Sequence, residues 1–140
     1  MAGRALVLDA NILIRALLGK RVRHILETYV DSVLFFVPET AYSEAERHLS
    51  ALVVKRGGDP AKALALLRAL VELTELVSED IYGNFEAEAR RRLDSRDPRD
   101  WPILASALSL GCPIRTEDTD FFGCGVPTWT SDRVEIFLDD

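Results

Sequence analysis

Cysteine is scarce in this chain of 140 residues: Cys112 and Cys124 are the only two. They match neither a zinc spacing nor a CxxC redox motif, and so low a density excludes a disulfide scaffold of the secreted kind. They read as reduced, partly buried thiols. Histidine is as rare, with only His24 and His48, so His-based chemistry has little to build on. No apolar run approaches the ~20 residues that cross a bilayer. Asp9 and Asn11 interrupt the start, MAGRALVLDAN, where a secretory signal needs an unbroken apolar stretch. Lipid-anchor motifs, repeats, low-complexity tracts and linkers are missing too. The expectation is one domain, residues 1–140, in the cytoplasm and away from membranes. Positive charge is also in deficit, with 17 Lys and Arg against 23 Asp and Glu, a net charge of −6. That argues against a simple electrostatic nucleic-acid binder, whose domain is usually basic. It does not exclude an enzyme acting on nucleic acid, because metal-binding carboxylates lower the net charge without describing the rest of the surface.

What is present is ordinary globular material, 48% apolar and 29% charged, enough for one core of about 14 Å radius of gyration. The pattern alternates. Residues 4–9 (RALVLD) predict a buried strand, and 11–18 and 22–30 predict helices that break near Gly19. Residues 33–37 (VLFFV) predict a second strand, closed by Pro38. Residues 39–55 predict a long helix, with Ala41, Ala45, Leu49, Leu52 and Val53 at helical spacing. Gly57-Gly58-Asp59-Pro60 is the clearest punctuation, with Asp59 as cap and Pro60 in the first turn of a helix over 60–73. That helix is apolar on most sides, so it is either deeply buried or shared with a partner, and in so small a domain a subunit contact, hence a homodimer, is the favoured expectation. A strand over 74–77, helices over 78–93 and 100–110, strands over 113–116 and 126–130, and a terminal helix over 131–138 complete the pattern. Asp100 reads as an N-cap and Gly111 as a C-terminal stop. Strands separated by helices imply a three-layer α/β/α sandwich with a central, mainly parallel sheet.

In such sheets ligands bind beyond the carboxyl ends of the strands. Asp9 ends the first strand, Asp118 follows the strand over 113–116, Asp100 opens a helix, and Glu44 lies in the first turns of the helix after the second strand. Four carboxylates from four segments can thus meet at one rim. Like charges at close range oppose folding, unless a divalent cation lies among them. Mg²⁺ and Mn²⁺ prefer such hard oxygen ligands and can drive phosphodiester hydrolysis without a Cys or His nucleophile. The helical wheel does not separate Glu44 from Glu46, since both flank the apolar arc.

The segments LVLDANILIRALLG and DPRDWPILASALSLGCPIRTEDTDFFGCGVPTW carry D-x-N, D-x-x-D and T-x-D-x-D-F in that order. In this the chain resembles the PIN domain family, small metal-dependent nucleases that include the VapC-like ribonuclease toxins of bacterial toxin–antitoxin pairs. The resemblance implies Asp9, Glu44, Asp100 and Asp118 as metal-binding and catalytic acids. It implies Mg²⁺ or Mn²⁺ as cofactor, RNA as substrate, 5′-phosphate and 3′-hydroxyl products, and an antitoxin protein as partner. Thr116 matches a hydroxyl residue that orients a coordinating acid, and Asn11 either orients Asp9 or caps the following helix. Asp97 replaces or assists Asp100, or serves a turn before Pro98. Asp120 completes the site or bonds to loop amides. His48 reads as packing or solvent contact, and Trp101 as packing or as a base-stacking platform.

Basic candidates to guide a phosphate strand are Arg15, Lys20, Arg21 and Arg23 near the first acid, and Arg96, Arg99 and Arg115 near the others. Arg90-Arg91-Arg92 reads as a solvated run or as partners of Glu86 and Glu88. The substrate-binding residues stay unknown at this level. Two other readings compete. One is a catalytically weak protein- or RNA-binding module of the same fold. The other is phosphatase chemistry from a strand-end Asp, which needs a second acid where Asn11 stands.

Overall fold

The computed structural model describes residues 4–94, 98–116, 121, 123–130, 134 and 138. Asp97, Asp118 and Asp120, and Arg96, lie outside the described residues. The first apolar run forms β1 (Arg4–Leu8) and stops where Asp9 caps α1 (Ala10–Leu18). After α2 (Arg21–Tyr29) the chain forms β2 (Val33–Pro38), whose terminal proline lies at the N-cap of α3 (Glu39–Lys55). Asp59 accepts the Ala61 N–H at 3.0 Å and starts α4 (Pro60–Val71), as the Gly-Gly-Asp-Pro punctuation predicts. Leu67, Leu70 and Val71 of α4 enter the core, while Leu66 and nearby Leu73 face solvent.

Beyond β3 (Glu75–Val77) the single helix expected over 78–93 is broken in two. α5 (Glu79–Tyr82) passes through a 3₁₀ turn (Gly83–Phe85) into α6 (Glu86–Leu93). Gly83 and Asn84 are poor helix formers, and the backbone tightens where they fall. A second 3₁₀ turn (Pro98–Asp100) leads into α7 (Trp101–Leu110), followed by β4 (Ile114–Arg115) and β5 (Thr128–Trp129). Of the terminal helix expected over 131–138, only Val134 and Leu138 are described, and both are buried.

Asp100 occupies the N-cap position of α7, yet its side chain makes no capping bond, which corrects the capping role expected of it. Two local features explain this. Its backbone is helical (φ −83°, ψ −1°) rather than extended, and Pro102, at the second helical position, has no N–H to offer. At the other end, Gly111 stops α7 in the left-handed region at φ 64°, as expected, with no atom within 4 Å of where a Cβ would stand. Gly111→Ala therefore tests backbone conformation alone. It should cost about 1 kcal/mol, read as a fall of roughly 4 °C in melting temperature.

All strands are parallel, in the order β3-β2-β1-β4-β5, with helices flanking the sheet. The core lies around β1, whose Leu6, Val7 and Leu8 are fully buried beside Ile12, Leu13, Leu104 and Ile114. Burial pushes the Cys112 thiol up to about 11, in keeping with an inert reduced thiol. No helix among the described residues is long and apolar enough to cross a membrane. The chain lays down β1, β2 and β3 in one direction, then crosses to place β4 on the other side of β1. Strand order reverses between β1 and β4, so the ligand-binding crevice of a doubly wound sheet falls at their carboxyl ends.

Candidate active site

Leu8 pairs with Arg115 across β1 and β4, so the next residues, Asp9 and Thr116, leave the sheet side by side. The Thr116 hydroxyl donates to Asp9 Oδ2. Asp9 Oδ1 accepts the Ile12 N–H at 3.0 Å. Both residues are buried. The carboxylate is thus gripped from two sides at the N-terminus of α1, where the hydrogen bonds and the helix dipole stabilise negative charge. Asp9 is the cap of α1, so Asn11 is not; Asn11 lies in the first turn with its side chain exposed.

These residues open onto a polar cleft of about 330 Å³. Asp9, Ala10 and Asn11 form one wall. Thr40, Ala41, Glu44, Arg47 and His48, a single stripe of α3, form a second. Arg99 and Asp100 close the third side, above Pro102 and Ile103. Asp100 Oδ2 is wholly shielded from solvent, whereas Glu44 is exposed. Glu44 lines the cleft and Glu46 does not, a choice the helical wheel left open. The structure therefore brings Asp9, Asn11, Glu44 and Asp100 together and stations Thr116 behind Asp9.

The basic residues sort differently from expectation. Arg99 lines the cleft. Arg15, Lys20 and Arg21 line a separate groove between α1 and α2. Arg115 is buried, its Nη1 donating to the Trp129 carbonyl at 3.4 Å, so it cannot guide a strand from the surface. Its place in β4 points it inside. Arg90 bonds to Glu86, and Arg91 and Arg92 bond to Glu88, as the charge run predicts. Those two guanidinium groups hold the Glu88 carboxyl down to about 2, although such exposed pairs contribute little to stability. Trp101 packs at 5.5 Å from the Tyr82 ring, with the Arg90 guanidinium 5.3 Å from its centre. This is the packing role, reinforced by a cation–π contact. Sequence reasoning missed Arg47 and Thr40. Their spacing from Glu44 was the available clue, since residues three and four apart share a helix face.

Oxygen donors dominate the cleft. Asp9, Glu44 and Asp100, with the Asn11 amide, offer hard oxygen atoms and suit Mg²⁺ or Mn²⁺ rather than a sulfur-seeking metal. Among the described residues, no three His, Cys, Asp or Glu side chains stand close enough together to enclose a metal. Mg²⁺ does not require such a cage, because it usually keeps several waters and binds through one or two carboxylates plus substrate oxygens. The chemistry of the cleft fits.

Several solved structures share the fold, three of them as follows. PAE2754 from Pyrobaculum aerophilum is 17% identical with a TM-score of 0.72, covering 99% of this chain and 97% of that one. A toxin–antitoxin complex from Klebsiella pneumoniae is 18% identical with a TM-score of 0.68, covering 90% and 97%. VapBC2 from Rickettsia felis, bound to a DNA fragment from its promoter, is 15% identical with a TM-score of 0.67, covering 90% and 98%. At such identities the likeness concerns the fold. A curated relative, the histidine–tRNA ligase of Novosphingobium aromaticivorans, is 40% identical over 70 residues. That match covers 47% of this chain but 17% of the ligase, so the chain spans a small part of that enzyme's length. The sequence profile of the PIN domain matches residues 7–139. A match over nearly the whole length, taking in the end of β1, all of α3 and α7 and the residues that line the cleft, means that the chain belongs to the PIN domain family.

Proposed function

We propose that this protein is a metal-dependent endoribonuclease and the toxin of a toxin–antitoxin pair. One observation carries the reading: Asp9, Glu44 and Asp100, from three well-separated segments, share one cleft where the strand order reverses. Carboxylates that line one cleft repel one another, and a divalent ion among them offsets that repulsion. In the reading offered here Asp9, Glu44, Asp100 and Asp118 hold Mg²⁺ or Mn²⁺, supported by Asn11, Thr116, Asp120 and Asp97. A divalent ion supplies Lewis acidity, lowering the pKa of water and offsetting charge on a phosphodiester under in-line attack.

The chain's own residues do the positioning. Asp9 is immobilised by Thr116 and Ile12, so its orientation is fixed before substrate arrives. Asp100 presents a partly shielded carboxylate, its side chain not spent on capping α7. Glu44 is exposed on the facing helix and can adjust its length and angle to the substrate. Pro102 and Ile103 form an apolar floor that limits water around the reacting groups. An antitoxin that blocks the cleft would answer these carboxylates with an arginine. The exposed Leu66 and Leu73 suit a homodimer contact, and the protein would work in the cytoplasm.

The direct test is incubation of RNA with purified protein and Mg²⁺ or Mn²⁺. Cleavage that yields 5′-phosphate ends and stops in excess EDTA is expected. Undiminished cleavage in EDTA would overturn the metal's role, and intact RNA under every metal condition would favour a binding module.

A further inference from the structure

The walls of the cleft carry acids, yet the substrate in this reading is a polyanion. Something in the cleft must hold phosphate, and α3 supplies it. Thr40, Ala41, Glu44, Arg47 and His48 line the cleft as one helical stripe, because a helix turns once every 3.6 residues. Arg47 and His48 stand three and four residues beyond Glu44, one turn farther along the wall, about 5 Å of helix rise. Both are exposed. Neither makes a hydrogen bond or ion pair among the described residues. The contrast with α6 is informative. There Arg90, Arg91 and Arg92 all pair with acids one turn away. On α3 an acid and two basic side chains have the same spacing and stay apart, open to the cleft.

We propose that Arg47 and His48 form a phosphate clamp that holds the RNA backbone next to the bond being cut. The proposal rests on the ribonuclease reading of the cleft and names the residues that bind its substrate. Arg47 offers a planar fork of N–H donors that matches two phosphate oxygens, and the His48 ring adds a further N–H donor. Arg99, across the cleft beside Asp100, puts positive charge on the opposite wall. The strand would thus lie with its scissile phosphate over the acids and a neighbouring phosphate one helical turn away on α3.

The test uses the full chain. Asp9→Asn serves as a non-cleaving background for binding, read by anisotropy of a short fluorescein-labelled single-stranded RNA of mixed sequence. In that background Arg47→Ala should weaken binding roughly tenfold and flatten the plot of log affinity against log salt by about 0.7, the value of one phosphate contact on a single strand. Arg47→Lys should restore the salt slope while recovering only part of the affinity. His48→Ala should weaken binding less than Arg47→Ala. In an otherwise wild-type chain, the loss in Arg47→Ala should fall on KM rather than kcat, the mark of binding shared by ground and transition states. Melting temperatures should not move, since neither side chain has a hydrogen-bond or ion-pair partner among the described residues. If wild type cleaves but Arg47→Ala and His48→Ala leave affinity, salt slope and KM untouched, the clamp is wrong and the ribonuclease reading stands. If RNA binds through Arg47 but is never cut, the phosphate contact stands, while the ribonuclease reading and the clamp's place beside a scissile bond fail. If RNA is neither bound nor cut, both fall.

Discussion

Asp9→Asn should abolish RNA cleavage while leaving the fold intact. Even the outer partner of a metal ligand is worth about 10–100-fold in metal affinity or activity. Loss of a coordinating carboxylate should therefore exceed about 100-fold in kcat/KM. The substitution is clean for a reason specific to this position. Asp9 also caps α1 through the Ile12 N–H, and asparagine caps a helix about as well as aspartate. The amide oxygen keeps that bond, and its NH₂ can still meet the Thr116 hydroxyl as an acceptor. Stability should change by less than about 1 kcal/mol. Asp9→Ala, by contrast, removes the cap and strands two buried donors at about 1–3 kcal/mol each, so loss of activity there would say little. Retention of cleavage in Asp9→Asn within a few-fold of wild type would remove Asp9 from the site.

Mn²⁺ should raise the melting temperature, by an amount that depends on the same residue. Asp9, Glu44 and Asp100 face one cleft, and without a cation their mutual repulsion works against the folded state. A ligand at 100 times its Kd adds about 2.7 kcal/mol to stability if it binds only the folded chain. For a domain of this size that corresponds to roughly 10 °C. In Asp9→Asn the rise should shrink to a small fraction of that value. An equal rise in both proteins would mean that the ion binds elsewhere. No rise in either would mean that no assembled site exists.

Sequence patterning reveals most of the elements, because each is written locally. Residues 33–37 form a continuous apolar run and 39–55 carry a helical period, and both become elements at nearly those boundaries. Gly-Gly-Asp-Pro marks its turn through the conformational habits of those residues. The break at Gly83 is also local, although helical elements lie on either side of it. Strand order is another matter. β4 lies beside β1 through contacts more than a hundred residues apart, and the Asp9–Thr116 bond spans 107 positions. Periodicity carries no information about such pairing. The same limit explains the basic residues. Arg115 looks like a surface guide in sequence, and only its place in a central strand buries it. Glu44 and Glu46 flank the apolar arc symmetrically, and the wall opposite α3 decides which of them lines the cleft. Asp100 reads as a cap by residue type, and the ψ angle of the 3₁₀ turn frees its side chain from that role.

The central claim is that carboxylates from separate segments jointly hold one divalent ion in this cleft. Anomalous diffraction from a Mn²⁺-soaked crystal tests it directly. The account predicts one strong peak within coordination distance of Asp9 and Asp100, facing Glu44 across the cleft. A cleft without a peak at saturating Mn²⁺, or a peak held elsewhere on the molecule, would contradict it.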